Sequence, residues 1–295
     1  MTKSPQPLYC HDTSLAVLKA SGSPIRKYLQ SQITQDINKL TPESPIYTAI
    51  LTPQGKMIAD MHIMDAGNEL ILVVQKSYAV TLVERLRRFA LGYDIRLGLV
   101  EALGVLSIQG DLATLIKENI QESSQWPIYA SMTMPEASDT GLWLIMDTHD
   151  MTQALKQLGQ SCSLNAMNKA RIIYGTPRFG IDWDESIHPL NANLIEMQGV
   201  SFDKGCYVGQ EITSRMHWRK GIKKKLYHVT IQGNLPTSPC PILTTIPIGT
   251  LTSCAQNEQG QSFGIAHLPI SSVEADAPFT LENTAKLTII KACHA

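Results

Sequence analysis

Two rhythms of polar and apolar residues alternate along the 295-residue chain. Leu15 to Lys19 has strand character. Pro24 then stands behind Gly22-Ser23, which suits a first helical position after a serine cap, and Ile25, Tyr28 and Leu29 share one helical face. Tyr47 to Leu51 reads as a strand. Thr52-Pro53-Gln54-Gly55 is a turn with proline second and glycine fourth, and Met57 to Met64 returns. Asp65-Ala66-Gly67-Asn68 turns again into a strand over Glu69 to Val74. Ser77 is expected to cap a helix with Val80, Val83, Leu86 and Phe89 or Ala90 inward, closed by Gly92. Ile95 to Val100 is again strand-like. Strands, helix and strand in this order predict a mixed α+β sheet of ferredoxin-like type.

Val17-Leu18 followed by Gly22 matches Val105-Leu106 followed by Gly110, a faint internal repeat that chance would also produce. Residues 121–140 are polar and proline-containing and read as a loop crossing. Gly141 to Met146 is strand-like, Asp150 to Leu158 helical, and Asn165 to Tyr174 helical. Thr176 to Ser201 is largely irregular. After Lys225 the rhythm changes to short β-like runs punctuated by proline and glycine: Tyr227 to Ile231, Ile248 to Leu251, Ser262 to His267, Phe279 to Leu281 and Lys286 to Ile290. A small terminal β-barrel or sandwich follows. The expected division is an N-terminal α+β domain over 1–103, a second over 104–222, and a barrel over 223–295.

Composition adds boundaries. The chain is 43% hydrophobic and 17% charged, as folded proteins are, and its net charge of −1 supplies no global field toward nucleic acid or membranes. Met1 to Pro7 has no apolar core and no apolar run reaches membrane-spanning length, so a cytoplasmic protein with no membrane partner is the default, and a monomer likewise. The six cysteines are scattered with no C-x-x-C, which fits free thiols and excludes a zinc ribbon. Walker A, G-x-G-x-x-G, H-E-x-x-H and G-x-S-x-G patterns are absent. Asp182, Asp184, Glu185 and His188 could form a metal cluster, but a solvated acidic loop is the favoured reading, and no metal is expected.

The informative stretch is 189–228. Cys206 lies between Gly205 and Tyr207, two residues from Lys204. A nearby lysine and a helix start near Gly209 would favour its thiolate; the alternative is a packed cysteine in a tight turn. Gly209-Gln210-Glu211 should open a short helix, with Glu211 in the favourable first turn and within reach of Arg215 at i+4. Gln210 offers a donor and an acceptor to a heterocycle edge. Arg215, Arg219, Lys220, Lys223, Lys224 and Lys225 fall within eleven residues without an acid, with His217 and Trp218 among them. A solvated linker, a seat for an anionic tail, and an RNA contact are the readings open to this run.

Lys204-Gly205-Cys206-Tyr207-Val208-Gly209-Gln210-Glu211 resembles the K-G-C-Y-x-G-Q-E signature of YgfZ-type folate-binding proteins, a branch of the superfamily of the glycine-cleavage T-protein, an aminomethyltransferase. Pro189, Asn193-Leu194, Gly199-Val200, Ser201-Phe202 and Arg215 agree with that branch. Tyr28 to Asp36 resembles its F-L-Q-G-Q-x-T-x-D run, Tyr47 to Lys56 its hairpin, and Ala170-Arg171-Ile172 to Gly175 and Pro177 its R-I-x-x-G-x-P run.

The resemblance implies an α+β, T-protein-like three-domain ring around a channel, with ferredoxin-like parts and a C-terminal β-barrel. It implies tetrahydrofolate or a derivative as ligand, and a role in assembling or repairing iron–sulfur enzymes, including tRNA-modifying ones; those enzymes or assembly proteins are the implied partners. Under it, Cys206 would be the functional thiol, with Lys204 and Arg215 tuning charge. Asn193, Tyr207, Gly209, Gln210, Glu211 and Asp60 would line or support the folate site, and Arg219, Lys223 and Lys224 would meet a polyglutamate tail. Two departures argue against aminomethyl transfer. Ala59-Asp60 replaces an acidic pair, and Ile173 stands where T-proteins hold the pterin with glutamate. A tetrahydrofolate-dependent one-carbon transferase using Asp60 is the alternative, and an RNA-binding module the second; near-neutral charge leaves no strong case for direct nucleic-acid binding.

Overall fold

The computed structural model describes residues 8–109, 127–133, 141–158 and 161–293. The chain divides into two compact units. The first comprises Met1–Leu51, Ile58–Met167 and Gly199–Val208; the second comprises Thr52–Met57, Asn168–Gln198 and Gly209–Ala295.

The first unit holds two sheets. One has the order β3-β4-β5-β2-β6, built from β2 (Leu15–Ser21), β3 (Ile46–Leu51), β4 (Met57–Asp65), β5 (Glu69–Gln75) and β6 (Arg96–Leu99). The other has the order β1-β7-β9-β8, from β1 (Leu8–His11), β7 (Leu103–Gln109), β8 (Ile128–Thr133) and β9 (Gly141–Asp147). The twofold alternation of strands assigns the faces. Leu18 pairs with Leu72, and both lie in a core with Ala20, Leu70, Val74, Ala59, Met61 and Ile63, beneath helices α1 (Ile25–Gln30) and α2 (Lys76–Arg88). Their neighbours Val17, Val73, Ile71 and Met64 turn the other way and pack with Cys10, Val105, Trp143 and Ile145 of the second sheet. That sheet's outer face, with Leu106, Ile108, Leu142 and Leu144, packs Met151 and Ala154 of helix α3 (Thr148–Leu158). Strands covered on both faces are why Leu70 to Val74 and Leu103 to Ile108 read as apolar runs.

Helix α2 differs from its reading in the sequence. It starts at Lys76 without a side-chain cap, and Ala79, Leu82, Val83 and Leu86 are its buried face. Val80 and Phe89 are 63% and 49% exposed, the Phe89 ring lying 3.5 Å beneath the Arg85 guanidinium. Both faces contain Val83 and Leu86 at helical spacing, so packing on the sheet decides between them. The short strand β1 passed unread, and Gly110 of the suspected repeat lies outside the described residues.

The second unit carries a closed barrel of order β10-β13-β12-β11-β14-β15: β10 (Lys224–Gln232), β11 (Cys240–Leu243), β12 (Pro247–Gln256), β13 (Ser262–Pro269), β14 (Phe279–Leu281) and β15 (Lys286–Ala292). Closure pairs β10 with β15 and leaves no edge among these strands. Val229, Ile242, Leu251, Ala266 and Leu281 fill it. β11 contains Pro241, which hid it in the sequence.

Two polar devices fasten the preceding segments to the barrel. Helix α4 (Leu164–Tyr174) presents Arg171, whose guanidinium pairs with Asp182 at 2.7 Å at side-chain exposures of 1% and 0%. Arg171 also donates to the Thr176 carbonyl, Asn168 Oδ1 and Ser253 Oγ, while Asp182 accepts from the Arg178 amide and the hydroxyls of Thr252 and Ser253. Every arm of the pair is thereby satisfied, the condition for burying it. Asn193, in the left-handed region at φ 64°, donates its amide to the carbonyls of Leu226 and Cys293 and accepts from the Leu226 amide. Gly175 sits at φ +81°, and a Cβ there would come within 2.4 Å of His228 Cγ, so only glycine fits.

Candidate functional site

The signature segment crosses from the first unit to the second at Val208–Gly209, and each part is built by its own unit.

In the first unit, residues 199–204 strap onto the α1–β3 connection. Thr34 Oγ1 donates to the Gly199 carbonyl and the Ser201 amide to the Thr34 carbonyl. The Lys204 ammonium donates to the carbonyls of Gln30, Ile33 and Gln35 at 2.7, 2.7 and 2.9 Å. All three of its hydrogens are engaged, and the Tyr207 ring centroid lies 5.0 Å away. Burial pushes Lys204 down to about 8, against the pull of Asp36. The segments Tyr28–Asp36 and Lys204–Tyr207 are therefore one construction: the first bends its carbonyls around the second's lysine. This corrects the expectation that Lys204 tunes the thiol, since its charge is turned into the unit's interior. Cys206 is exposed between the two inward anchors Lys204 and Tyr207. A Cβ on Gly205 would meet nothing within 4 Å. The anchors display the thiol.

On the other face of β4, opposite Ala59 and Met61, half-buried Asp60 and His62 stand in a row. The Tyr47 hydroxyl donates to Asp60 Oδ2 at 2.8 Å. The Tyr47 and His62 rings approach to 4.8 Å, and the Trp143 ring meets His62 edge-on at 5.1 Å. The Trp143 indole N–H is buried without an acceptor. Asp60 is thus a half-buried carboxylate beside the Tyr47 and His62 rings, with Trp143 behind them in the core between the sheets; a carboxylate so placed can accept hydrogen bonds from the N–H groups of a flat heterocycle. Sequence reading found Asp60 only through the resemblance; Tyr47, His62 and Trp143 carry no motif of their own and were missed.

In the second unit, Gly209 adopts φ 84° and begins helix α5 (Gln210–Trp218), as its sequence predicts. Thr213 Oγ1 donates to the Gly209 carbonyl at 3.0 Å. Gln210 is half-buried at the first helical position. Glu211 pairs with Arg215 at 2.7 Å, both exposed. Lys225 pairs with Glu196, and Arg219 and Lys223 are exposed with Lys224 half-buried. Asn193 has both amide hydrogens committed to the barrel. The hairpin tip also joins this unit. Lys56 Nζ donates to the Ser186 carbonyl at 2.7 Å, and a Cβ on Gly55 would come within 3.1 Å of Ile212 and 3.3 Å of His188 Nε2. Burial, assisted by Lys56, pushes His188 down to about 4, and its Nδ1 accepts from the Leu190 amide. Asp182 and Asp184 do not converge with it: the first belongs to Arg171, and the second accepts from the Ser186 amide and hydroxyl. Among the described residues no group of three or more His, Cys, Asp or Glu side chains could hold a metal ion, and no helix is long and apolar enough to cross a membrane.

No family model matches the chain. The fold is that of the glycine cleavage system aminomethyltransferase T from Bartonella henselae, which it matches with a TM-score of 0.79 at 13% identity, over 98% of this chain and 85% of that one. By sequence it is 26% identical to the mitochondrial iron–sulfur cluster assembly factor IBA57 homolog of Coccidioides immitis, over 79% of this chain and 59% of that protein. It is 24% identical to the tRNA-modifying protein YgfZ of Aliivibrio fischeri, over 91% of this chain and 87% of that protein. In fold the chain is like a T-protein, and in sequence it is similar to proteins named YgfZ and IBA57. It spans 59% of the length of the Coccidioides relative.

Proposed function

We propose that this protein binds a reduced folate and serves, as an accessory factor, the assembly or repair of iron–sulfur enzymes, tRNA-modifying ones among them. The relatives support the second half: one is an iron–sulfur cluster assembly factor and the other a tRNA-modifying protein. The folate half rests on one observation, the grouping of Asp60 with Tyr47 and His62 in the first unit. Asp60 accepts hydrogen bonds from the ring N–H and amino groups of a pterin, and the half-buried Tyr47 and His62 rings lie beside it. The exposed Cys206 thiol, held out by Lys204 and Tyr207, is the group that meets a partner or its cargo.

Calorimetric titration with tetrahydrofolate and 5-formyltetrahydrofolate tests the reading. Saturable binding is expected, and Asp60→Asn should weaken it by about 1.5–3 kcal/mol, the worth of a charge-assisted hydrogen bond. Absence of binding at millimolar ligand would sink the folate assignment. For the thiol, Cys206→Ser should abolish rescue of a deletion strain while leaving the melting temperature unchanged; full rescue removes Cys206 from the mechanism. A one-carbon transferase remains the alternative because Asp60 is half-exposed and hydrogen-bonded to Tyr47, but it would also have to consume a methylene or methyl donor.

A further inference from the structure

Two cysteines far apart in sequence meet in the first unit. Cys10 lies in β1, 3% exposed, and belongs to the core between the two sheets. Cys162 lies just before α4, half-buried, and packs against the same core. The Cys162 amide donates to the Tyr9 carbonyl at 2.9 Å, which fastens this segment beside β1. One N–Cα bond, that hydrogen bond and one peptide unit separate the two Cα atoms, which therefore lie within about 7 Å of each other. The Cys10 thiol donates to the Cys162 sulfur. Cysteines so spaced, with their sulfurs already in hydrogen-bond contact, meet the distance requirement of a disulfide.

The two thiols are not equivalent. The hydrogen bond from Cys10, helped by backbone hydrogen bonds at Cys162 and Tyr9, holds the Cys162 thiol below its ordinary range, against burial and the Asp12 charge. Cys162 also reaches the surface, whereas Cys10 does not. Cys162 is thus the reactive member and Cys10 the resolving one. The barrel supplies the contrast. Cys240 and Cys254 are also neighbours, but burial pushes both thiols up, and the Cys254 thiol donates to the Pro236 carbonyl at 3.3 Å. Burial pushes Cys293 up as well. The pair in the first unit combines contact between sulfurs with a thiol disposed to ionise.

We propose that Cys10 and Cys162 are a redox modification site, closed to a reversible disulfide by hydrogen peroxide. The Cys162 thiolate attacks one peroxide oxygen; the O–O bond breaks, hydroxide leaves and takes up a proton as water, and Cys162 becomes a sulfenic acid. The Cys10 sulfur then attacks the Cys162 sulfur, the S–O bond breaks, and a second water leaves with the Cys10 proton. Two thiols are oxidised to one disulfide and one peroxide is reduced to two waters. A dithiol reverses the bond by thiol–disulfide exchange. The link closes a long loop between β1 and the start of α4, so the oxidised chain should be the more stable form.

Titration of the reduced full chain with hydrogen peroxide, followed by alkylation, proteolysis and mass spectrometry, tests the proposal. A peptide pair joined through Cys10 and Cys162 is expected at about one equivalent of peroxide, with Cys240, Cys254 and Cys293 still open to alkylation after unfolding. The melting temperature should rise by about 5 °C or more on oxidation and fall back with dithiothreitol. Cys10→Ala should leave Cys162 as a sulfenic acid that dimedone traps, and Cys162→Ala should leave Cys10 unoxidised; melts of the reduced variants show that they fold. Absence of the Cys10–Cys162 link in excess peroxide overturns the proposal. A Cys162 sulfenic acid that persists in the parent chain does so too, for the sulfurs then do not meet. Oxidation confined to the exposed Cys206, seen as Cys206-linked dimers on non-reducing gels, overturns it equally. Neither folate nor an iron–sulfur enzyme enters the measurement, so this idea and the proposed function can fail separately.

Discussion

Each unit buries a cation, and the two do it by opposite means. In the second unit Arg171 lies at 1% exposure against a carboxylate, so the charges cancel and the remaining arms meet hydroxyls and carbonyls. In the first, Lys204 is surrounded by three carbonyls with no carboxylate within ion-pair distance among the described residues, and burial brings its pKa down to about 8. Arginine keeps its proton under any such pressure and requires an anion; lysine can release its proton, so carbonyl dipoles suffice. The second unit is therefore built for permanence of charge, while the first contains a charge that pH can remove.

The contrast is sharpest in acid. His188 and His228 of the second unit are both pushed down to about 4 from 6.5, chiefly by burial. Between those values the unfolded chain takes up protons that the folded chain refuses, so stability falls as pH falls through this window. Two such groups account for at most about 7 kcal/mol over the interval at roughly 1.4 kcal/mol per pH unit each. Urea unfolding at a series of pH values should show this, and His228→Gln should remove about half of the slope; an unchanged slope would contradict the burial argument. Next in size, Asp182→Ala leaves the Arg171 charge uncompensated and should cost about 3–5 kcal/mol in the same assay; a loss below 1 kcal/mol would mean that water reaches the pair.

Lys204 gives the opposite pH dependence. Its folded value of about 8 lies below the ordinary 10.5, so between these the unfolded chain holds a proton that the folded chain has released. Stability from this group rises with pH across that window and is flat below it. Lys204→Met should abolish the rise, and should lower stability at pH 7 by about 1–3 kcal/mol through the carbonyls left without donors. The smallest effect belongs to the exposed pair on α5: Glu211→Gln should shift stability by only about 0.3–0.5 kcal/mol, a loss that added salt would mask.

Local patterns made part of this legible. Gly209 announced α5, the Glu211–Arg215 pair followed from i+4 spacing, the 52–55 turn from its proline and glycine, and the barrel from its short punctuated strands. What escaped depended on distant chain. The face of α2 was set by the sheet beneath it, so Ala79 and Leu82 replaced Val80 and Phe89. β1 and β11 are short, and each exists because of the strands it joins. The inward turn of Lys204 depends on carbonyls some 170 residues earlier in the chain. The grouping of Asp60 with Tyr47, His62 and Trp143 needed three strands from two sheets, and no spacing in the sequence records that.

Asn193 adds to the barrel's seam two hydrogen bonds that depend on the identity of a single atom. Its carboxamide nitrogen supplies hydrogens to two carbonyls, at the start of the first barrel strand and just past the end of the last. Deamidation would replace that nitrogen with oxygen, add almost no volume, and aim a negative charge at both carbonyls where two attractions had been. Slow chemical ageing at this position would accordingly loosen one corner of the seam while the β10–β15 pairing and the apolar contacts inside the barrel stayed intact.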